Sequence, residues 1–187
     1  MVGLTAERNM QKTAFMDDIP KLVEAAVKDP AAFGRLYNHY VQPVYRYLYS
    51  RVGTVHDAED LTSQTFMAAY ESLTRYRERG YFAAWLFRIA RSRLIDHLRS
   101  SRREVELQAA EKGAAVQDAL GQVIQDEEIS QLQTLIYELT EEEQDLIRLR
   151  YVADLSFAEM AGVLGKREDA VKKSVYRLLA RLKSQME

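Results

Sequence analysis

The chain contains 187 residues, with no cysteine, three prolines, eight glycines and a formal net charge of −2 at pH 7. Without cysteine, disulfides and thiolate sites are excluded, and the three histidines lack metal-ligand spacing, so no metal, cofactor or catalytic constellation is predicted. Few helix breakers favour an all-α fold, and without an apolar run of roughly 18 residues we expect a cytoplasmic protein that does not span a membrane.

The small net charge conceals blocks of opposite sign. Residues 88–103 contain six arginines and one acid, for a local net charge of +5. Residues 104–130 contain seven acids and one lysine, for −6, and residues 166–183 return to +5 with seven bases and two acids. Because basic segments can neutralise phosphates, this pattern is typical of a nucleic-acid-binding protein.

The N-terminal part of the chain predicts one helical domain after an extension. Residues 1–29 contain a short amphipathic stretch, Ile19 to Val27, and no feature that predicts a role for them. From residue 30 to residue 103 apolar side chains recur at helical spacing. Breaks at Gly53 and at Arg79-Gly80 divide this domain into three or four helices.

One of these helices begins with a polar face. Thr54 to Asp57 resembles a capping box, and Asp57, Asp60 and Gln64 follow at i, i+3 and i+7. Such a face repels DNA and suits a basic protein partner. It is equally explained as a solvated helix start that complements the helix dipole, and the residues alone leave both interpretations open.

The segment from Phe82 to Arg99 predicts an arginine-rich helix. Trp85 belongs to its apolar stripe, and we favour a core position for this side chain over a functional one. For the arginines we favour contacts to DNA phosphates, since the number of arginines in this segment exceeds what solubility requires. The preceding loop, Tyr76 to Tyr81, combines polar and aromatic residues that could hold a flipped base.

A second domain is predicted after an acidic linker. Residues 104–130 are rich in Gln and Ala without a strong apolar stripe, and we interpret them as a linker with at most weak helix. Residues 131–187 regain the helical periodicity, with a capping box at Thr140 to Glu143. The chain therefore predicts two small helical domains joined by a flexible linker.

The C-terminal segment predicts a helix-turn-helix. A capping box at Ser156 to Glu159 begins a short helix that ends at Gly165. After this turn a second helix is predicted to have a buried apolar face and an exposed basic face. The apolar face consists of Val171, Val175, Leu178 and Leu182. The exposed face consists of Lys172, Lys173, Tyr176, Arg177 and Arg181. This geometry suits a recognition helix in the major groove, although an αα-hairpin with a solvated basic face, or a repressor, fits the same residues.

Four segments in order across about 150 residues resemble the extracytoplasmic-function (ECF) class of bacterial sigma factors, in the sigma-70 family. They are residues 57–66 (DAEDLTSQTF), 85–91 (WLFRIAR), 94–99 (LIDHLR) and 149–161 (LRYVADLSFAEMA). The resemblance implies a sigma region 2 domain at 30–103 and a region 4 domain at 131–187. It implies a transcription initiation subunit that performs no chemistry of its own.

The resemblance also implies partners and site residues. The chain would bind core RNA polymerase through the clamp coiled coil of the largest polymerase subunit and through the flap of the second-largest subunit. It would also bind promoter DNA, in double-stranded and in melted form. The linker would thread the polymerase, and small members of the family are often controlled by an anti-sigma protein, although the sequence does not reveal whether this chain has one. The implied residues are Asp57, Asp60 and Gln64 for core polymerase; Arg77, Tyr81, Arg88, Arg91, Ser92, Arg99, Arg102 and Arg103 for minus-ten DNA; and Arg167, Lys172, Lys173, Tyr176, Arg177 and Arg181 for minus-thirty-five DNA.

Some positions depart from the family pattern. Ser92 stands where many members have Asn, Arg167 and Ala170 replace common hydroxyl residues, and Ser174 replaces a common Arg. The target sequence therefore cannot be copied from other members. An alternative hypothesis is a freestanding helix-turn-helix repressor or activator that dimerises through its N-terminal domain, but it gives no joint explanation of the arginine helix and the acidic face.

Overall fold

The computed structural model describes residues 19–77, 81–111 and 134–186, and for 102–111 the backbone alone. These residues are helical and contain no strand, as the all-α prediction required. We number the helices in chain order: α1 (19–26), α2 (Pro30–Val52), α3 (Val55–Ser72), α4 (Phe82–Glu111), α5 (134–137), α6 (Glu141–Ile147), α7 (Phe157–Leu164) and α8 (Glu168–Met186). A short 3-10 turn, Leu73–Arg75, follows α3, and a π-helical turn, Arg148–Val152, follows α6.

Local capping interactions define most helix boundaries. The side chain of Asp29 accepts the N–H of Ala31 at the start of α2, and Gly53 ends that helix in the left-handed region at φ 75°. The Thr54 hydroxyl accepts the N–H of Asp57 at 3.2 Å and so caps α3. The predicted break at Gly53 is confirmed, whereas the predicted break at Arg79-Gly80 falls between the described ranges.

Helix α1 is an integral part of the core. Ile19, Leu22, Val23 and Ala26 are all buried and belong to the same apolar cluster as the large side chains of α2 and α4. The sequence predicts an amphipathic stretch here but no role for it. Its four buried side chains show that it helps to stabilise the N-terminal domain.

Helix α4 lies at the centre of the molecule, packed against α2, α3 and α7. Its buried residues recur at helical spacing: Phe82, Ala83, Ala84, Leu86, Phe87, Ala90 and Leu94. The helix continues to Glu111, past the predicted start of the linker at Glu104. No proline or glycine separates these two positions, so the backbone has no local reason to stop. The rest of the predicted linker is outside the described residues.

The C-terminal domain is built from short helices with strong caps. Both capping boxes predicted here, at Thr140 and Ser156, are present with their reciprocal hydrogen bonds. Gly165 ends α7 at φ 65°, and α8 follows after a tight turn. The predicted inward face of α8 is confirmed, since its buried residues are Val171, Val175, Leu178 and Leu182. Within the described ranges, no helix is long and apolar enough to cross a membrane.

Candidate polymerase and nucleic-acid interfaces

The acidic face predicted on α3 lies at the surface. Asp60 and Gln64 are exposed and joined to each other, since the Gln64 amide donates to the Asp60 carboxylate at 2.7 Å. Asp57 is half-buried, and its carboxylate accepts the Thr54 hydroxyl at 2.6 Å. Asp57 is thus partly committed to the helix cap, while Asp60 and Gln64 are oriented towards solvent.

An apolar residue that sequence reasoning missed extends this face. Met67 lies one helical repeat beyond Asp60, at i+7, and is 63% exposed. A large apolar side chain at the solvent-facing position of an otherwise polar stripe was the available signal. Met67 thus places an exposed, flexible apolar side chain beside a carboxylate and an amide.

Part of the region predicted to bind minus-ten DNA is open to solvent. Arg77 and Tyr81 flank the segment before α4, and both side chains are exposed, as are Ser92 and Arg99 on the helix itself. The side chains of Arg102 and Arg103 lie outside the part of the chain that is described.

Trp85 occupies an intermediate position. It is half-buried, with its ring 4.7 Å from that of Tyr76 and 5.4 Å from that of Phe82, measured between centroids. The indole packs against the edge of the core without being enclosed by it. The predicted core position is therefore only partly confirmed: the ring packs at the edge of the core, where it contacts Tyr76 and Phe82.

Two other arginines of α4 face the C-terminal domain. The Arg88 guanidinium donates to the Gly162 carbonyl of α7 at 2.6 Å. Arg91 Nε lies 3.3 Å from Asp145 Oδ2 on α6. These groups, predicted to contact DNA, are therefore engaged by the second domain in this arrangement.

Asp145 is the centre of a buried polar cluster between the domains. Arg51 of α2 approaches its other carboxylate oxygen at 3.8 Å, and both side chains are largely buried. Burial raises the pKa of Tyr47, with a further contribution from the negative charge of Asp145, so the phenol stays protonated. The pKa of Arg148 is lowered, first by burial and then by the positive charge of Arg51.

The polar cluster is not fully satisfied. Four buried atoms have no hydrogen-bond partner among the described residues: Tyr47 Oη, Arg51 Nε, Asp145 Oδ1 and Arg148 Nη1. Buried polar groups of this kind each reduce the free energy gained by packing. The sequence carried no local signal for the cluster, because Tyr47 and Arg51 of α2 lie far along the chain from Asp145 and Arg148.

Helix α8 presents its basic face to solvent. Arg167 before the helix and Lys172, Lys173 and Arg177 along it are exposed, and Tyr176 is 55% exposed although its ring contacts Phe157 at 5.8 Å.

Arg181 of α8 forms an ion pair with α6. Its guanidinium lies 2.8 Å from Glu143 on α6, and this hydrogen bond is the first cause of a lowered pKa of Glu143. Arg181 therefore connects α8 to the capping box of α6 as well as facing solvent.

The comparisons with known proteins agree with this architecture. The sigma-70 region 2 family model matches residues 36–104, and the sigma-70 region 4 model matches residues 129–182. The ECF RNA polymerase sigma factor SigM of Bacillus subtilis (strain 168) is 31% identical over 150 residues, which cover 80% of this chain and 91% of SigM. The chain belongs to the ECF sigma factors.

Other ECF sigma factors are similar over most of the chain. BldN of Streptomyces coelicolor is 40% identical over 172 residues, or 87% of this chain, and the chain spans 63% of the length of BldN. SigW of Bacillus subtilis is 27% identical and is covered over 90% of its length. Membership of this family of transcription initiation factors favours the sigma-factor prediction over a freestanding repressor or activator.

Two solved structures share the fold of this sigma factor. The structure of CnrH in complex with the cytosolic domain of CnrY has a TM-score of 0.64 and a sequence identity of 23%. The match covers 88% of this chain and 94% of CnrH. The sigma factor RpoE from Bartonella quintana, in complex with the anti-sigma factor NepR, has a TM-score of 0.63 at 20% identity, over 82% of this chain and 96% of RpoE.

Proposed function

We propose that this sigma factor binds core RNA polymerase through the exposed face of α3 and recognises promoter DNA at two points. In this proposal α4 and the preceding loop bind the melted minus-ten element, and α8 reads the minus-thirty-five element. The observation that carries the proposal is the separation of charge: an acidic exposed face on α3 and a basic exposed face on α8. One surface suits a basic protein partner and the other suits phosphates.

The core-polymerase surface consists of Asp60, Gln64 and Met67, with Asp57 at its edge. The clamp coiled coil of the largest polymerase subunit is the proposed partner. A rim carboxylate mainly affects the association rate and the choice of partner, whereas a central apolar side chain contributes more to affinity.

The minus-ten surface combines Tyr81 and Arg77 at the loop with Ser92 and Arg99 on α4. An exposed aromatic ring can stack on an unpaired base, and arginines can hold the single-stranded backbone. These contacts would offset an unstacking cost of a few kcal/mol per base. Arg102 and Arg103 remain part of this proposal from the sequence.

The minus-thirty-five surface is the exposed face of α8. Lys172 and Lys173 lie in the first half of the helix, where a recognition helix reaches base edges, while Arg177 and Arg181 continue towards phosphates. Arg167 precedes the helix and Tyr176 lies beside Phe157. The flap of the second-largest subunit is the proposed polymerase partner of this domain.

We further propose that the protein acts in the cytoplasm, performs no chemistry of its own and is controlled by an anti-sigma protein. The similarity in fold to RpoE, whose structure includes the anti-sigma factor NepR, supports this last point. Recognition by such a partner would cover one or more of the three surfaces described above.

The proposal is tested by run-off transcription with core polymerase and a library of promoters from the source genome. The wild-type chain should start RNA from a subset of promoters that share two elements, and the absence of transcripts from every promoter would overturn the proposal.

The α3 assignment is tested separately with Asp60→Arg in a pull-down with core polymerase. Reversing this charge should weaken binding about tenfold, within the range of a lost charged contact. Glu59→Arg is the matched control, because Glu59 is also exposed on α3 but lies about 100° around the helix. Equal affinity for the Asp60→Arg variant and the wild type would contradict the assignment.

A further inference from the structure

A large cavity lies where α2 and α4 meet the C-terminal domain. It has a volume of about 1050 Å³, and it is lined by residues of α2, α4, α6 and the turn after α7. Small ligands are usually bound in cavities of roughly 300–1,000 Å³, and the boundary between two domains is a frequent place for them. The cavity is therefore large enough to hold a ligand of the size of a nucleotide.

The lining of the cavity combines aliphatic and cationic side chains. Leu98 of α4 and Leu164 of α7 are among the aliphatic ones. Arg51 of α2 and Arg91 and Arg99 of α4 provide guanidinium groups. A lining of this kind suits a ligand that has both an apolar body and an anionic group.

The cationic groups outnumber the carboxylates that neutralise them. Lys166 and Glu142 form an ion pair with each other at the cavity. The other charged groups in and beside the cavity are four guanidinium groups and two carboxylates. They belong to Arg51, Arg91, Arg99 and Arg148, and to Glu141 and Asp145. This leaves two positive charges uncompensated, and a phosphate monoester carries a charge of about −1.5 to −2 near pH 7.

Arg51 is only loosely paired, although its side chain is only 11% exposed. Its Nη1 lies 3.8 Å from Asp145 Oδ1, beyond hydrogen-bond distance, and its Nε has no partner among the described residues. Tyr47, one turn earlier on α2, also lines the cavity. Unused donors on a buried guanidinium cost free energy, and a phosphate can accept two of them in the fork geometry that arginine favours.

We propose that this cavity binds a small phosphate ester with an apolar body. Arg51, Arg91 and Arg99 hold the phosphate, and Leu98 and Leu164 contact the body. A nucleoside monophosphate and an alkyl phosphate share this chemistry. The site goes beyond the proposed promoter function, and its test requires neither polymerase nor DNA.

Isothermal titration calorimetry of the full-length protein tests the class of ligand. Adenosine monophosphate or octyl phosphate should bind at least about tenfold more tightly than inorganic phosphate, because only the esters have a body that buries apolar surface. Adenosine, which has no phosphate, should bind at least about tenfold more weakly than adenosine monophosphate. The tighter of the two esters identifies the kind of body. If neither ester binds more tightly than inorganic phosphate, the proposal is wrong.

Arg51→Gln tests whether the ester occupies this cavity. Loss of the guanidinium should weaken binding of the preferred ester about tenfold. Arg46→Gln is the matched control, because Arg46 is an exposed arginine of the same helix that lies outside the cavity lining. Equal weakening by the two substitutions would show that the ester binds basic surfaces in general, and it would overturn the site.

Arg99→Gln tests the same assignment without a substitution at a buried position, since Arg99 is exposed. It should weaken ester binding about threefold, in the range of an exposed charge pair. Arg93→Gln, at another exposed position of α4 outside this lining, should leave the affinity unchanged. Unchanged affinity in Arg99→Gln and in a folded Arg51→Gln variant, or equal weakening by Arg93→Gln and Arg99→Gln, would overturn the site.

Leu98→Ala tests the contact with the apolar body. It should weaken binding of the preferred ester about fivefold and leave the affinity for inorganic phosphate unchanged, because only the ester reaches this side chain. Equal weakening of both ligands would show that Leu98 acts through the structure of the cavity, and it would contradict the proposed position of the body.

Discussion

The two basic helices of this sigma factor, α4 and α8, differ in how their charges are placed. In α8 the apolar side chains are buried on one face and the basic face is exposed almost throughout. In α4 the helix is packed between other helices, and its arginines divide between solvent and the C-terminal domain. The same residue type thus serves as an exposed charge in one helix and as an interdomain ligand in the other.

The largest expected effect is on the free energy of unfolding, and it concerns the buried face of α4. Phe87 is fully buried among the helices that surround it, so Phe87→Ala should lower the free energy of unfolding by about 3–5 kcal/mol through lost burial and a cavity. Ser92→Ala, at an exposed position of the same helix, should change it by less than about 0.5 kcal/mol. Urea unfolding followed by circular dichroism measures both. Similar losses of unfolding free energy in the two variants would show that α4 does not have a buried structural face and a separate exposed binding face.

An intermediate effect concerns DNA reading by α8. Lys172→Ala should weaken binding to minus-thirty-five duplex DNA by about 1–3 kcal/mol if it contacts a base, and should affect single-stranded minus-ten DNA less. Lys183→Ala, in the last turn of the same helix, removes the same charge and serves as control. Fluorescence anisotropy gives both affinities. Equal losses on the two DNAs would contradict separate readers.

The smallest effect concerns Arg181 of α8, which is paired with Glu143 of α6. Glu143→Gln keeps the size of the side chain at the capping box but removes the charge that binds Arg181, so stability near neutral pH should fall by at most about 1 kcal/mol.

This loss should depend on pH. The pKa of Glu143 is lowered in the folded state, so its charge contributes stability above the unfolded value of about 4.3, and this contribution is lost as the pH falls through the folded pKa. Thermal unfolding across this range should show the two proteins converging in acid. A difference that is constant with pH would exclude an ionic contribution.

Features set by neighbouring residues were predictable from the sequence. The capping boxes at Thr140 and Ser156, the turn at Gly165 and the buried stripe of α8 each depend on side chains within a few positions. Such patterns specify helix ends and faces almost independently of the rest of the chain. The fold class and the helix-turn-helix therefore followed from local rules.

The contacts between distant residues could not be predicted in this way. Arg91 and Asp145 are 54 positions apart, and Arg88 and Gly162 are 74 positions apart. No local periodicity indicates such a pairing. The sequence predicted that the arginines contact DNA phosphates, and nothing in it marked Gly162 or Asp145 as their partners. These contacts form only when the two domains pack together, so they follow from the tertiary structure and not from the local sequence.

The most direct test of two-point promoter recognition combines variants of α4 and α8 with altered promoters in run-off transcription by the reconstituted holoenzyme. Lys172→Ala should lower transcription from an intact promoter but cause no further loss when the minus-thirty-five element is scrambled. Arg99→Ala should lower transcription from both promoters by a similar factor. If Lys172→Ala lowers transcription equally from both promoters, α8 does not read the upstream element and the account is wrong.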